Sequence, residues 1–128
     1  MSNLSDLEKS IGYKFKDNKY LKIALTHKSY LDDYPDFQSN QRYEFFGDAI
    51  LDFDLTEYLF ENYPDLDEGS LTKIRSSAVN QFYLVKLGRK INIGKYLYLG
   101  KAEESTGGRE KDSILEDALE ALIAALYF

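Results

Sequence analysis

The chain has 128 residues, a net charge of −6, no cysteine and a single histidine. This length suits one domain with a true core, and the composition excludes disulfides, thiolate metal centres and most histidine-rich sites. No run approaches the roughly 20 apolar residues that span a bilayer, and the start MSNLSDLEKS has neither a basic stretch nor an apolar signal core, which argues against secretion.

Leu4, Leu7 and Ile11 form an apolar stripe at helical spacing, closed by Gly12. Tyr20, Leu21, Ala24 and Leu25 form a second, with Asp17 or Asn18 as its cap. Residues 32–39 (DDYPDFQS) read as a loop. Asn40 is placed to cap a long helix that reaches about Tyr63, where Pro64 stops it. Another helix starts at Asp67, Glu68 and Gly69 and carries Leu71, Ile74 and Val79. Asn80 punctuates it, and Phe82 to Lys90 is helical again. Gly94 to Leu99 is short and aromatic, and residues 100–110 (GKAEESTGGRE) read as a polar loop. Ser113 and Glu116 make a weak capping-box match before a last apolar helix. No segment keeps a period of two, and there is no repeat or linker, so the fold class is all-α in one domain.

Charge is unevenly spread. Residues 69–102 hold Lys73, Arg75, Lys86, Arg89, Lys90, Lys95 and Lys101 and no acid, so this segment carries +7 and the remainder −13. A basic segment set against acidic clusters suits a phosphate-rich ligand; a solvated basic surface is the alternative.

Two acidic pairs stand in apolar helical stretches. Glu44 and Asp48 are four apart in NQRYEFFGDAIL (40–51), and Asp117 and Glu120 three apart in ILEDALEALIAALYF. On an ideal helix the members of each pair lie ~40° and ~60° apart around the axis, so each helix can aim two carboxylates at one point. Converging acids repel and resist ionisation unless a cation meets them. No buried basic partner stands near either motif in the sequence, and a hard divalent ion such as Mg²⁺ suits such a site. Gly47, Ala49, Ala118, Ala121, Ala124 and Ala125 suit close helix packing around the acids. Because Asp52, Asp54, Glu57 and Glu61 continue the first helix, a merely wet acidic face remains open.

The strings LEKSIGYKFKDNKYLKIAL, ALTHKSY, NQRYEFFGDAIL, LTKIRSSAVN and GGREKDSILEDALEALIAALY resemble the nuclease domain of the ribonuclease III family, from about Leu7 to Phe128. The resemblance implies an all-helical, ribonuclease III-type domain that works as a cytoplasmic homodimer on double-stranded RNA. It implies Mg²⁺ as cofactor, with Mn²⁺ as a substitute, and products with 5′-phosphate and 3′-hydroxyl ends, one strand being cut at each site. By position, Glu44, Asp48, Asp117 and Glu120 match the catalytic, metal-holding acids. Glu68 matches a further acid near the cleavage point, and Phe45 matches an aromatic of the dimer interface. Lys73 and Arg75 are candidates for RNA phosphate contact.

Two departures stand out. Gln41 occupies a position where the family has Glu, and the chain stops at Phe128 where family members continue with another helix and often a double-stranded-RNA-binding domain. RNA affinity is then expected to be weak and strongly salt-dependent. The alternatives are a non-cleaving relative that binds structured RNA within a larger assembly, and a helical protein-interaction module. Three smaller features have two readings each. His27 is a general base or a packed, hydrogen-bonded core residue; Tyr96 and Tyr98 stack on bases or fill the core; Gly107 and Gly108 with Arg109 and Lys111 cradle phosphate or form a turn.

Overall fold

The computed structural model describes residues 3–128; Met1 and Ser2, the start of the expected domain, lie outside it. Eight α-helices follow one another: α1 (Leu4–Ile11), α2 (Asn18–Ala24), α3 (Tyr30–Asp33), α4 (Gln41–Asn62), α5 (Glu68–Ala78), α6 (Gln81–Lys90), α7 (Lys101–Ser105) and α8 (Asp112–Tyr127). Two 3₁₀ turns, Ile93–Tyr96 and Gly108–Glu110, join the later ones. Among the described residues there is no strand, only an isolated parallel bridge between Thr26 and Tyr98. The all-α expectation holds. No helix here is long and apolar enough to cross a membrane.

Side-chain caps set four of the eight α-helix starts among the described residues. Asn3, Asp17, Asp67 and Asn80 accept the backbone N–H of Ser5, Lys19, Ser70 and Tyr83, each satisfying a donor that the first turn leaves free. Gly12 ends α1 in the left-handed region, with φ 73°, as its sequence position predicts.

The apolar helix α8 is the hub. Ile114, Leu115, Ala118, Leu119, Ala121, Leu122, Ala124 and Ala125 are buried on it. It packs most extensively against α4, then α6 and α2. Leu7, Phe15, Leu21, Leu25, Leu84, Val85, Ile93 and Leu97 close around it. Tyr96 is buried in this core and Tyr98 packs against it, so core packing is their role.

Four local expectations differ from the structure, the first two through tertiary contacts. Asn40 stands at the N-terminus of α4 but caps nothing with its side chain. It is buried, and its Nδ2 donates to Ala24 O at 3.0 Å while its backbone N–H donates to Thr26 O at 2.8 Å. The residue therefore rivets the end of α2 to the start of α4. Residues 100–110 are not a free loop: they hold α7 and a 3₁₀ turn. Arg109 fastens them, donating to Gly94 O (3.0 Å) and Leu97 O (2.7 Å) and pairing with Glu104 at 2.7 Å. Its guanidinium is thus committed, and Lys111 is paired with Glu103, so the Gly107–Gly108 segment is a turn. Finally, α8 begins at Asp112, one residue before Ser113, without a side-chain cap. The region 32–39 is a loop only after Asp33, where α3 ends.

Candidate active site

Gly47 decides how close α4 and α8 approach. A β-carbon built on it would lie 1.7 Å from Glu120 O and 3.3 Å from Ala124 N. Only a residue without a side chain fits this crossing, and that offsets its unfavourable helix propensity of about 1 kcal/mol. Glu44 and Asp48 flank Gly47 on α4, so both are delivered to the point where Asp117 and Glu120 leave α8.

The carboxylates converge there. Ligand oxygens of Glu44, Asp117 and Glu120 all lie within 4.8 Å of one another. Asp48, on the rim, hydrogen-bonds the Glu120 carboxyl. Glu120 is the deepest of the four, only 5% exposed. Burial pushes its pKa up to about 9, aided by the Asp48 hydrogen bond and by the charges of Asp48, Glu116 and Glu44. Burial likewise raises Glu44, with Asp117 and Asp48 adding repulsion. Asp117 is raised by burial too, although His27 and Lys28 oppose the shift. Acids that resist ionisation for lack of a counter-charge are what a hard cation would relieve. Three closely spaced carboxylate oxygens fit such an ion.

The other predicted residues lie elsewhere. Glu68 opens α5 on an exposed groove with Phe60 and Arg75, outside the four-acid cluster of its own chain. Phe45 is 78% exposed and points away from the core. Lys73 is exposed beside Ile74 and Tyr83. Arg75 is tied to α4, 3.6 Å from Asp52 and donating to Thr56 Oγ1 at 2.9 Å. Gln41 reaches back to Ser39 Oγ at 3.3 Å. His27 is half-buried, with Nδ1 on Ser29 Oγ at 2.8 Å, as the packed reading expects, but it also faces Asp117 and Glu103.

Glu116 is a site acid that the pairwise reading passed over. Its pKa is raised by burial, by Asp117 and by Asp48. It stands four residues before Glu120, the spacing that singled out Glu44 and Asp48, so the signal was there. The immediate neighbour Asp117 masked it.

The class so defined is an all-helical domain whose two central helices cross at a glycine and present a buried carboxylate cluster. Residues 17–128 match the family described as Ribonuclease-III-like. The Ribonuclease 3 of Sulfurovum sp. is 50% identical over 127 residues, 99% of this chain and 55% of that protein. That of Clostridium perfringens is 49% identical over 125 residues, 98% of this chain and 53% of that protein. The chain thus spans about half the length of the curated relatives it matches. The nuclease domain of ribonuclease III from Campylobacter jejuni superposes with a TM-score of 0.91 at 44% identity, covering 98% of this chain and 85% of that one; a study of that domain concerns structural flexibility in its dimer-forming region. This chain belongs to the ribonuclease III family, and its fold is the family's nuclease domain.

Proposed function

We propose that this chain is the nuclease domain of a Mg²⁺-dependent, cytoplasmic endoribonuclease for double-stranded RNA, acting as a homodimer that cuts one strand at each site. The observation that carries the reading is the meeting of Glu44, Asp117 and Glu120 oxygens within 4.8 Å, from two helices far apart in sequence. Glu44, Asp117 and Glu120 would hold the ion, with Asp48 completing the acidic wall. Bound there, Mg²⁺ supplies Lewis-acid stabilisation of phosphoryl charge and lowers the pKa of attacking water, leaving 5′-phosphate and 3′-hydroxyl ends; Mn²⁺ serves as substitute.

The residues of the chain do the rest. Glu120, buried and slow to ionise without a counter-charge, is the acid whose ionisation a bound cation would favour most. The Gly47 crossing fixes the separation of the two carboxylate pairs. Recognition rests on the shape and 2′-hydroxyls of A-form RNA rather than on base edges. Lys73 is free on the surface for a phosphate, whereas Arg75 contacts RNA only by leaving Asp52. Glu68, at a groove rim, serves the cleavage region of the assembled dimer. Residues 1–128 are read as the nuclease unit.

An exposed aromatic stripe supports the dimer. Phe45, Phe53 and Phe60 are 78%, 63% and 74% exposed along α4, and a groove of about 900 Å³ lined by Tyr20, Gln41, Phe46, Tyr127 and Phe128 lies beside Phe45. Such a surface on one helix marks a contact between macromolecules.

The test is a labelled duplex RNA incubated with the domain, with and without Mg²⁺. Cutting only with Mg²⁺, lost in Asp48→Asn and Glu120→Gln, upholds the reading. Binding without cutting would favour the non-cleaving relative, for which Gln41 is the one supporting residue; normal turnover by either variant would remove the acids from the mechanism.

A further inference from the structure

The stripe of α4 that supplies Glu44 and Asp48 does not end with them. Asp52 and Thr56 follow at the same four-residue spacing, so all four side chains lie along one side of the helix, successive ones about 6 Å apart along its axis. A residue of α5 divides this stripe in two. Arg75 Nε stands 3.6 Å from Asp52 Oδ1, and Arg75 Nη1 donates to Thr56 Oγ1 at 2.9 Å. The Thr56 hydroxyl donates its own proton to Asp52 O at 2.7 Å, which leaves its oxygen to accept from Arg75. One guanidinium on α5 thus grips two successive turns of α4.

Little else fixes α5. None of its residues is buried, and α4 is the element it packs against most. The apolar part of that contact is small. Leu59, 4% exposed, is the one buried side chain in the second half of α4, and Leu71 shares a groove with it. Apolar contact has no direction, so it resists separation of two helices without setting their register. A planar fork of fixed donors does set it. Arg75 stands seven residues after Glu68, a spacing that returns to the same helix face. Both line the groove of about 410 Å³ between α4 and α5, with Thr56, Leu59 and Phe60.

We propose that Arg75 is a positioning residue for the cleavage reaction: its grip on Asp52 and Thr56 sets the register of α5 on α4, and with it the place of Glu68 relative to Glu44 and Asp48. The same grip withdraws Asp52 from the acidic stripe, so the metal-holding acids stop at Asp48. The inference rests on the reading of this domain as a double-stranded-RNA nuclease, and it takes Arg75 out of the set of phosphate contacts.

The test compares Arg75→Ala, Arg75→Lys and the charge-exchanged pair of Arg75→Asp with Asp52→Arg. In Arg75→Ala, single-turnover cleavage at saturating enzyme should fall about 10-fold or more. Duplex affinity, and the slope of log K against log salt, should match the parent when read by fluorescence anisotropy in a Glu120→Gln background. The Mg²⁺ concentration for half-maximal cleavage should not rise, because the change removes a positive charge near the ion. Amide exchange along α5 should quicken. Arg75→Lys, which can reach Asp52 but lacks the fork, should recover part of the rate, and the exchanged pair should cut faster than Arg75→Asp alone. Thr56→Val serves as a further variant should the arginine variants fold poorly, and it should lower the rate in the same way without changing affinity. A salt slope lowered by about one in Arg75→Ala would put the guanidinium on a phosphate and overturn the proposal. A parental rate in Arg75→Ala, or an exchanged pair no faster than Arg75→Asp, overturns it as well. If the native domain cuts duplex RNA and Arg75→Ala matches it, only this inference falls; if the native domain neither binds nor cuts, the functional reading falls with it.

Discussion

The α-carbon of Gly47 faces the main-chain carbonyl of Glu120 so closely that a β-carbon there would sit 1.7 Å from its oxygen. One glycine thus fixes both the packing of α4 on α8 and the spacing of the carboxylates. Gly47→Ala should destabilise the domain by about 2–3 kcal/mol despite the helix propensity it gains. Urea denaturation measures this. A variant as stable as the parent would mean that the two helices can part without cost.

Mg²⁺ should stabilise the native domain. At ten times its dissociation constant an ion contributes about 1.4 kcal/mol, or a rise of roughly 5 °C in Tm for a domain of this size. Glu120→Gln, which removes one oxygen ligand and a buried acid, should abolish most of that rise. Differential scanning fluorimetry with MgCl₂ and with EDTA reads both.

In EDTA, stability should fall as pH rises. Burial pushes the folded-state pKa of Glu120 up to about 9 from the ordinary carboxyl value of 4.5, and Glu44, Asp117 and Glu116 are shifted upward as well. Between those limits the folded state holds more protons than the unfolded one, so each step upward in pH favours unfolding. The penalty is absent below about pH 4.5 and complete above about pH 9. Thermal melts from pH 5 to 9 should show the decline, Glu120→Gln should flatten it, and saturating Mg²⁺ should oppose it. A flat wild-type profile without metal would contradict the site's electrostatics.

Asn40 offers a sharper test of architecture. If it were a cap, aspartate would replace it freely. Its observed work is donation to Ala24 O, which a carboxylate cannot do. Asn40→Asp and Asn40→Ala should therefore both cost about 1–3 kcal/mol, measured by chemical denaturation. Retained stability in the aspartate variant would restore the capping role.

Phe45→Ala should loosen or dissolve the proposed dimer while leaving helix content intact. Sedimentation velocity and far-UV circular dichroism, taken together, separate loss of association from loss of fold.

Much of this molecule could be read from its residues in order. Helix α8 announces itself because its apolar run needs burial on nearly all sides, and the four- and three-residue spacings of the acids survive intact in the site. Gly47 was legible as well, since a glycine within a long helix calls for a close neighbour. What escaped depends on contacts between distant segments. KAEES carries no apolar stripe, and α7 stays folded against Ser29 and under Arg109. Asn40 looks like a cap because that is the local role of its type; its donor bond crosses to α2. His27 and Lys28 lie about 90 residues before Asp117, and no periodicity connects them. Glu116 was hidden by reading acids in pairs.

The Arg109 clasp has a consequence for how the protein breathes. One guanidinium closes the stretch from Gly94 to Glu110 by gripping carbonyls of its first turn and Glu104 together, so releasing that grip loosens at once the part of it that lies outside the core. Amide exchange there should follow a single cooperative opening. Because the Glu103–Lys111 pair and the Gly100–Ser29 bond belong to the same unit, that opening would also slacken the connection between α2 and α3 at Ser29.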